Sequence, residues 1–141
     1  MKQTKSLFVV LILILSLKGC FGDSEINPTN VLEIVNNSNI VILYQFGNHF
    51  PDTLLWEENP FSEQNMDKYS IEPGKTVEIS FFNSVALNPT QKTCLFFFDK
   101  LTIVNSEWDS IRNDYKVLDR FDFNERDLVS LNWQLRFPIK K

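Results

Sequence analysis

Two short runs of this chain, Ile40–Phe46 (IVILYQF) and Thr93–Phe98 (TCLFFF), are apolar at almost every position, whereas Thr76–Phe82 (TVEISFF) alternates. Successive side chains of a strand point to opposite faces. The alternating run therefore predicts a half-exposed strand, with Val77, Ile79 and Phe81 inward and Thr76, Glu78 and Ser80 outward. The two apolar runs predict strands covered on both faces. Ile40, Ile42, Tyr44 and Phe46 share one face of the first, Val41 and Leu43 the other. In the second, Phe96, Phe97 and Phe98 are consecutive and cannot all reach one core.

Weaker patterns fill the rest. Val31–Val35 is a short β-rich run, and the turn formers Asn36–Asn39 separate it from Ile40, which reads as a hairpin. Ser70–Glu72 predicts a brief strand, and Pro73-Gly74 a turn with glycine where positive φ costs little. Ser106 with Asp109 resembles a capping box, so residues 107–115 are expected to be helical, with Trp108, Ile111 and Arg112 at helical spacing. Val117–Phe123 returns to strand, with Val117, Phe121 and Phe123 on one side. Asn124 with Asp127 repeats the cap signal ahead of a second short helix, Glu125–Leu131. Trp133, Leu135 and Phe137 alternate along a closing strand. Gly47–Tyr69 and Asn83–Lys92 have no sustained period. An irregular stretch as long as the first is usually functional, disordered or packed on itself.

Roughly seven short strands with one or two short helices in the C-terminal third predict a mainly β fold, an antiparallel β-sandwich of the immunoglobulin or transthyretin kind. No predicted helix is long enough to cross over between parallel strands.

The N-terminus has its own pattern. Lys2 and Lys5 precede an apolar run, Leu7–Leu17, that ends at Lys18, Gly19 and Cys20. The charged start, apolar middle and small-residue end are those of an export signal. The run has 11 residues, against the roughly 20 that a spanning helix needs. Leu17-Lys18-Gly19-Cys20 resembles the lipobox of bacterial lipoproteins, with Lys18 departing from the pattern. It implies a signal peptide over 1–19, acylation of Cys20, a polar tether over 20–30 and a domain over 31–138. An ordinary signal peptide cut after Gly22 uses the same residues differently. The lipid matters physically: each buried methylene contributes about 0.8 kcal/mol, so two or three acyl chains anchor durably where one is marginal.

Past residue 19 the chain has 11 basic and 18 acidic residues, a net charge of −7. Such a domain has no footprint for nucleic acid and no basic cluster for an anionic lipid surface. Any membrane contact must come from the lipid. With Cys20 acylated, Cys94 has no thiol partner and reads as a small buried hydrophobe; unacylated, the two could pair.

Residues Pro51-Asp52-Thr53, Ile71-Glu72-Pro73-Gly74, Phe97-Phe98-Asp99, Trp108 to Ile111, Tyr115 to Leu118, Arg120-Phe121 and Asp127 to Trp133 resemble a family of small Bacteroidota-type lipoproteins of unknown function. The resemblance implies an envelope compartment, an outer-membrane lipoprotein on the periplasmic face or the cell surface. It brings no activity with it.

Candidate chemistry is sparse. There is one histidine, no cysteine pair at ligand spacing, no phosphate loop and no nucleophile elbow. The expectation is no enzyme, no metal and no cofactor. Glu57-Glu58 reads as a solvated face. The loop offers Trp56, His49 and Tyr69 as contact residues for a protein or glycan partner, because exposed loop aromatics anchor contacts well. Trp108 and Trp133 read as core. An alternative is a small hydrolase or peptidase-like accessory using His49 with Asp52. Asp52-Thr53-Leu54 and Asp109-Ser110-Ile111 resemble the short O-glycosylation acceptor of these bacteria, with Thr53 the better placed in a loop.

Overall fold

A computed structural model describes residues 31–47, 50–51, 54–81 and 92–139. The leader, Cys20 and the tether lie outside the described residues, as do His49, Asp52, Thr53 and residues 82–91. Among the described residues no helix is long and apolar enough to cross a membrane.

Among the described residues the strands form two sheets. Strands β1 (Val31–Asn36), β4 (Thr76–Ser80) and β7 (Gln134–Phe137) make one, in the order β4-β1-β7. Strands β2 (Ile42–Gly47), β3 (Ser70–Ile71), β5 (Thr93–Asp99) and β6 (Asp119–Phe123) make the other, in the order β3-β2-β5-β6. The mainly β sandwich is as the pattern predicts. One pair departs from the antiparallel expectation: β1 and β7 run parallel, with Ile34 opposite Leu135. Parallel neighbours need a long connection. These are the first and last described strands, so the intervening chain supplies it and no crossover helix is required.

Two apolar layers result. Leu32 and Ile34 of β1, Ile42 and Tyr44 of β2, Leu95 and Phe97 of β5, Phe123 of β6 and Leu135 and Phe137 of β7 fill the space between the sheets. A second cluster lies on the outer face of the four-stranded sheet, where Leu43, Cys94, Phe96 and Phe98 meet Leu55 and Phe61 of the irregular stretch. This is why Ile40–Phe46 and Thr93–Phe98 are apolar throughout. The three consecutive phenylalanines divide between the layers, Phe97 inward and Phe96 and Phe98 outward.

The predicted hairpin does not form. β1 and β2 belong to different sheets, and Asn36–Asn39 carries the chain from one to the other. Asn36, fully buried, holds that corner. Its Nδ2 donates to the carbonyls of Ile40 and Ile71, both at 2.8 Å. Its Oδ1 accepts from the Ser38 amide at 3.0 Å and the Ser38 hydroxyl at 2.6 Å. The side-chain amide thus uses both donors and both lone pairs. At the same end Gly74, at φ 71°, follows Pro73 in the predicted turn, and its amide donates to the Asn36 carbonyl at 2.8 Å.

Among the described residues there are three short α-helices and one 3-10 turn, Met66–Tyr69. Helix α1 (Lys100–Asn105) follows β5 directly, where the sequence pattern predicts no element. Asp99 caps it, accepting from the amides of Leu101 and Thr102. Helix α1 ends at Ser106, so the predicted Ser106–Asp109 box is absent; Glu107 precedes α2 (Trp108–Asn113) without a side-chain cap. The predicted box ahead of α3 (Glu125–Ser130) is present: Asp127 N donates to Asn124 Oδ1 and Asn124 N to Asp127 Oδ2. Val117 precedes β6 and packs in the outer cluster, not on the side of Phe121 and Phe123.

Candidate functional site

From Leu54 onward the irregular stretch is packed on itself and on the sheet. Asn59 Oδ1 accepts from the Phe61 amide at 2.9 Å, an Asx turn that directs Phe61 inward. Phe61 meets Phe98 at 5.4 Å between ring centroids and Trp108 at 6.4 Å. The Trp108 indole N–H donates to the Trp56 carbonyl at 2.9 Å, fastening the loop to α2. Trp56 itself is half-buried, with its ring against Phe96 at 5.4 Å and an interplanar angle of 77°. Trp108 is structural, as its spacing suggests, and Trp133 packs on the inter-sheet core.

Between this loop and the sheet lies a cleft of about 670 Å³. Gly47, Cys94 and Phe96 form its sheet side. Residues 54–60 form the loop side, and Arg112 reaches in from α2. The sheet side depends on glycine: a Cβ on Gly47 would lie 2.7 Å from the Phe96 ring and 3.3 Å from Cys94 Cβ. Trp56 and Leu55 line the loop side, with the exposed carboxylates of Glu57 and Glu58 beside them.

Three polar groups in this region differ in their electrostatics. Cys94 is buried, and Arg120 Nη2 donates to its sulfur at 3.1 Å. Burial, then the Asp122 carboxylate, push the thiol above its ordinary range, although the Arg120 charge pulls the other way. A thiol held protonated is a poor nucleophile. Arg120 is occupied by Asp122 and lies 5.4 Å from the Phe96 ring centroid, a cation–π contact that braces the sheet side. Arg112 is different. Its Nη1 lies 3.5 Å from the largely exposed Asp109 carboxylate, an arrangement of little energetic value. Its Nε is buried with no acceptor.

Of the contact residues expected from sequence, Trp56 lies in the cleft. Tyr69 does not: it stands between the two apolar layers, 5.8 Å from Tyr44 and 6.3 Å from Phe61. His49, Asp52 and Thr53 lie outside the described residues. In the second glycosylation-like triplet, Ile111 is buried and the Ser110 hydroxyl accepts from Lys116 Nζ at 2.9 Å. Sequence reasoning missed Arg112, Gly47 and Phe96 as parts of a site. The available signal for Arg112 was its place beside Ile111 on the apolar face of a short helix. Among the described residues no group of three His, Cys, Asp or Glu stands close enough to hold a metal ion.

Comparison with family models, with curated proteins and with solved structures finds no match to the chain.

Proposed function

We propose that the protein is a lipid-anchored, non-enzymatic binding module of the cell envelope, held at the outer membrane by acylated Cys20 and using the cleft beneath residues 54–60 to contact a protein or glycan partner. The cleft carries this reading. Its volume of about 670 Å³ falls within the roughly 300–1,000 Å³ of sites that enclose small ligands or side-chain groups. Its walls pair an apolar surface with a few charged groups, the composition that gives affinity and orientation together. The leader and Cys20 motif support the anchor, and the acidic domain brings no basic patch that would hold a membrane by charge.

Panning the mature protein against peptide and glycan arrays should select ligands whose binding falls at least about tenfold, near 1.4 kcal/mol, in Leu54→Asp. Glu78→Lys, on the far face of the three-stranded sheet, should leave binding unchanged. Ligands indifferent to Leu54→Asp would remove the cleft from the proposal. For the anchor, detergent-phase partitioning is the measurement. Wild type should enter the detergent phase and Cys20→Ser should remain aqueous; equal partitioning of the two would end the lipoprotein reading.

A further inference from the structure

The charged groups of the cleft narrow the ligand. A guanidinium presents planar N–H donors that match a carboxylate. At Arg112 the Nε is buried, while the half-exposed side chain lines the cleft. Its Nη1 contact with the largely exposed Asp109 carboxylate, at 3.5 Å, is of little energetic value, so a carboxylate entering the cleft can compete for the charge. Glu57 and Glu58 line the same cleft, and among the described residues neither enters an ion pair. Two carboxylates against one guanidinium disfavour a simple anion. They favour a ligand that carries one carboxylate close to a cation. Between these charges, Phe96, Trp56 and Leu55 supply an apolar wall. The Trp56 ring is half-buried and committed to Phe96, which suits a compact aliphatic group better than the flat stacking face a sugar requires.

Resting on the binding reading above, we propose that the cleft takes the C-terminal end of a basic peptide. The terminal aliphatic side chain lies on the Phe96–Trp56 wall, its free carboxylate meets Arg112, and preceding lysine or arginine side chains meet Glu57 and Glu58. The peptide source is preferred to a fatty acid, which shares the apolar carboxylate and lacks the cation.

The probes are the tripeptide Lys-Lys-Leu with a free C-terminus, the same tripeptide as its amide, and hexanoate. Each is titrated into the mature protein at low salt, with indole N–H and glycine amide resonances followed by NMR. The free acid should shift the Trp56 and Gly47 signals, and the amide should bind about tenfold more weakly or worse, as expected for loss of a charged hydrogen bond. Arg112→Gln, at a half-exposed position, should keep the fold and abolish the acid-over-amide preference. Glu57→Gln with Glu58→Gln should weaken the acid and the amide together. Equal binding of acid and amide at the cleft would overturn this inference and leave the binding site standing. Hexanoate binding as tightly as the tripeptide would assign the site to a fatty acid instead. Absence of any shift at Trp56 and Gly47 would overturn the peptide assignment, while the Leu54→Asp comparison judges the cleft independently.

Discussion

Phe97→Ala should destabilise the domain by about 3–5 kcal/mol, the usual cost of truncating a fully buried phenylalanine. Phe97 has no exposed surface, sits in the central region of β5 and meets the Phe137 ring at 5.2 Å between centroids. Its neighbours come from both sheets, so the vacated space cannot be closed by moving one of them alone. A net stability of only 5–15 kcal/mol is typical, so a loss of this size takes a large share of the whole. Phe96→Ala, one position along, removes the same number of atoms and should behave differently. Phe96 faces the outer layer, where its partners are Trp56 and the Arg120 guanidinium. Segments with fewer buried contacts open locally before the whole domain does. Hydrogen exchange should therefore show Phe97→Ala accelerating amides throughout both sheets. Phe96→Ala should accelerate chiefly those of residues 54–69. Identical exchange patterns for the two variants would mean that the sheet does not separate two layers.

That separation was legible in the sequence wherever direction alternates. β4 showed it through its polar outer residues, and β2 and β5 through apolar residues on both faces. What covers the outer face was not legible. Leu55 and Phe61 do so from a stretch with no period, because irregular backbone places side chains by individual turns such as the Asn59 one. Helix α1 escaped for a related reason. Its Thr102, Ile103 and Val104 favour strand by type, while the Asp99 cap and the packing of Ile103 outweigh that preference. Once α1 extends to Asn105, Ser106 terminates it and is no longer free to start α2. The site was half legible: Trp56 stood out as an aromatic among loop acids. Gly47 and Arg112 gain their meaning from what stands opposite them, the Phe96 ring and the loop, which no local spacing encodes.

Asn36 carries the second large effect, because turn chemistry alone does not say whether the chain folds back within a sheet or crosses between two. Asn36→Leu should cost about 3 kcal/mol, since it strips the Ile71 carbonyl and the Ser38 amide of their Asn36 partner and leaves the Ile40 carbonyl and the Ser38 hydroxyl with only their longer mutual bond at 3.2 Å, while gaining only apolar volume. For a domain of this size that corresponds to a fall in Tm of roughly 10–15 °C. The carbonyls of Ile40 and Ile71 and both polar groups of Ser38 lose their shared partner together. The corner between β1, β2 and β3 should loosen as one unit. Asn36→Asp isolates the donors from the shape. It keeps the two acceptor sites for Ser38, and places a carboxylate where Nδ2 faced two carbonyl oxygens. Burial and those oxygens raise the folded-state pKa of the new acid above its unfolded value near 4. The unfolded state then releases the proton more readily, so the deficit relative to wild type is largest at neutral pH. It should shrink as pH falls through the raised folded pKa, where the protonated acid regains one donor. Denaturant melts of the variant and wild type at pH 7 and pH 5 give the comparison. A deficit that stayed constant or grew on acidification would show that the Asn36 amide group does not donate across the corner, and the inter-sheet crossing would need another explanation.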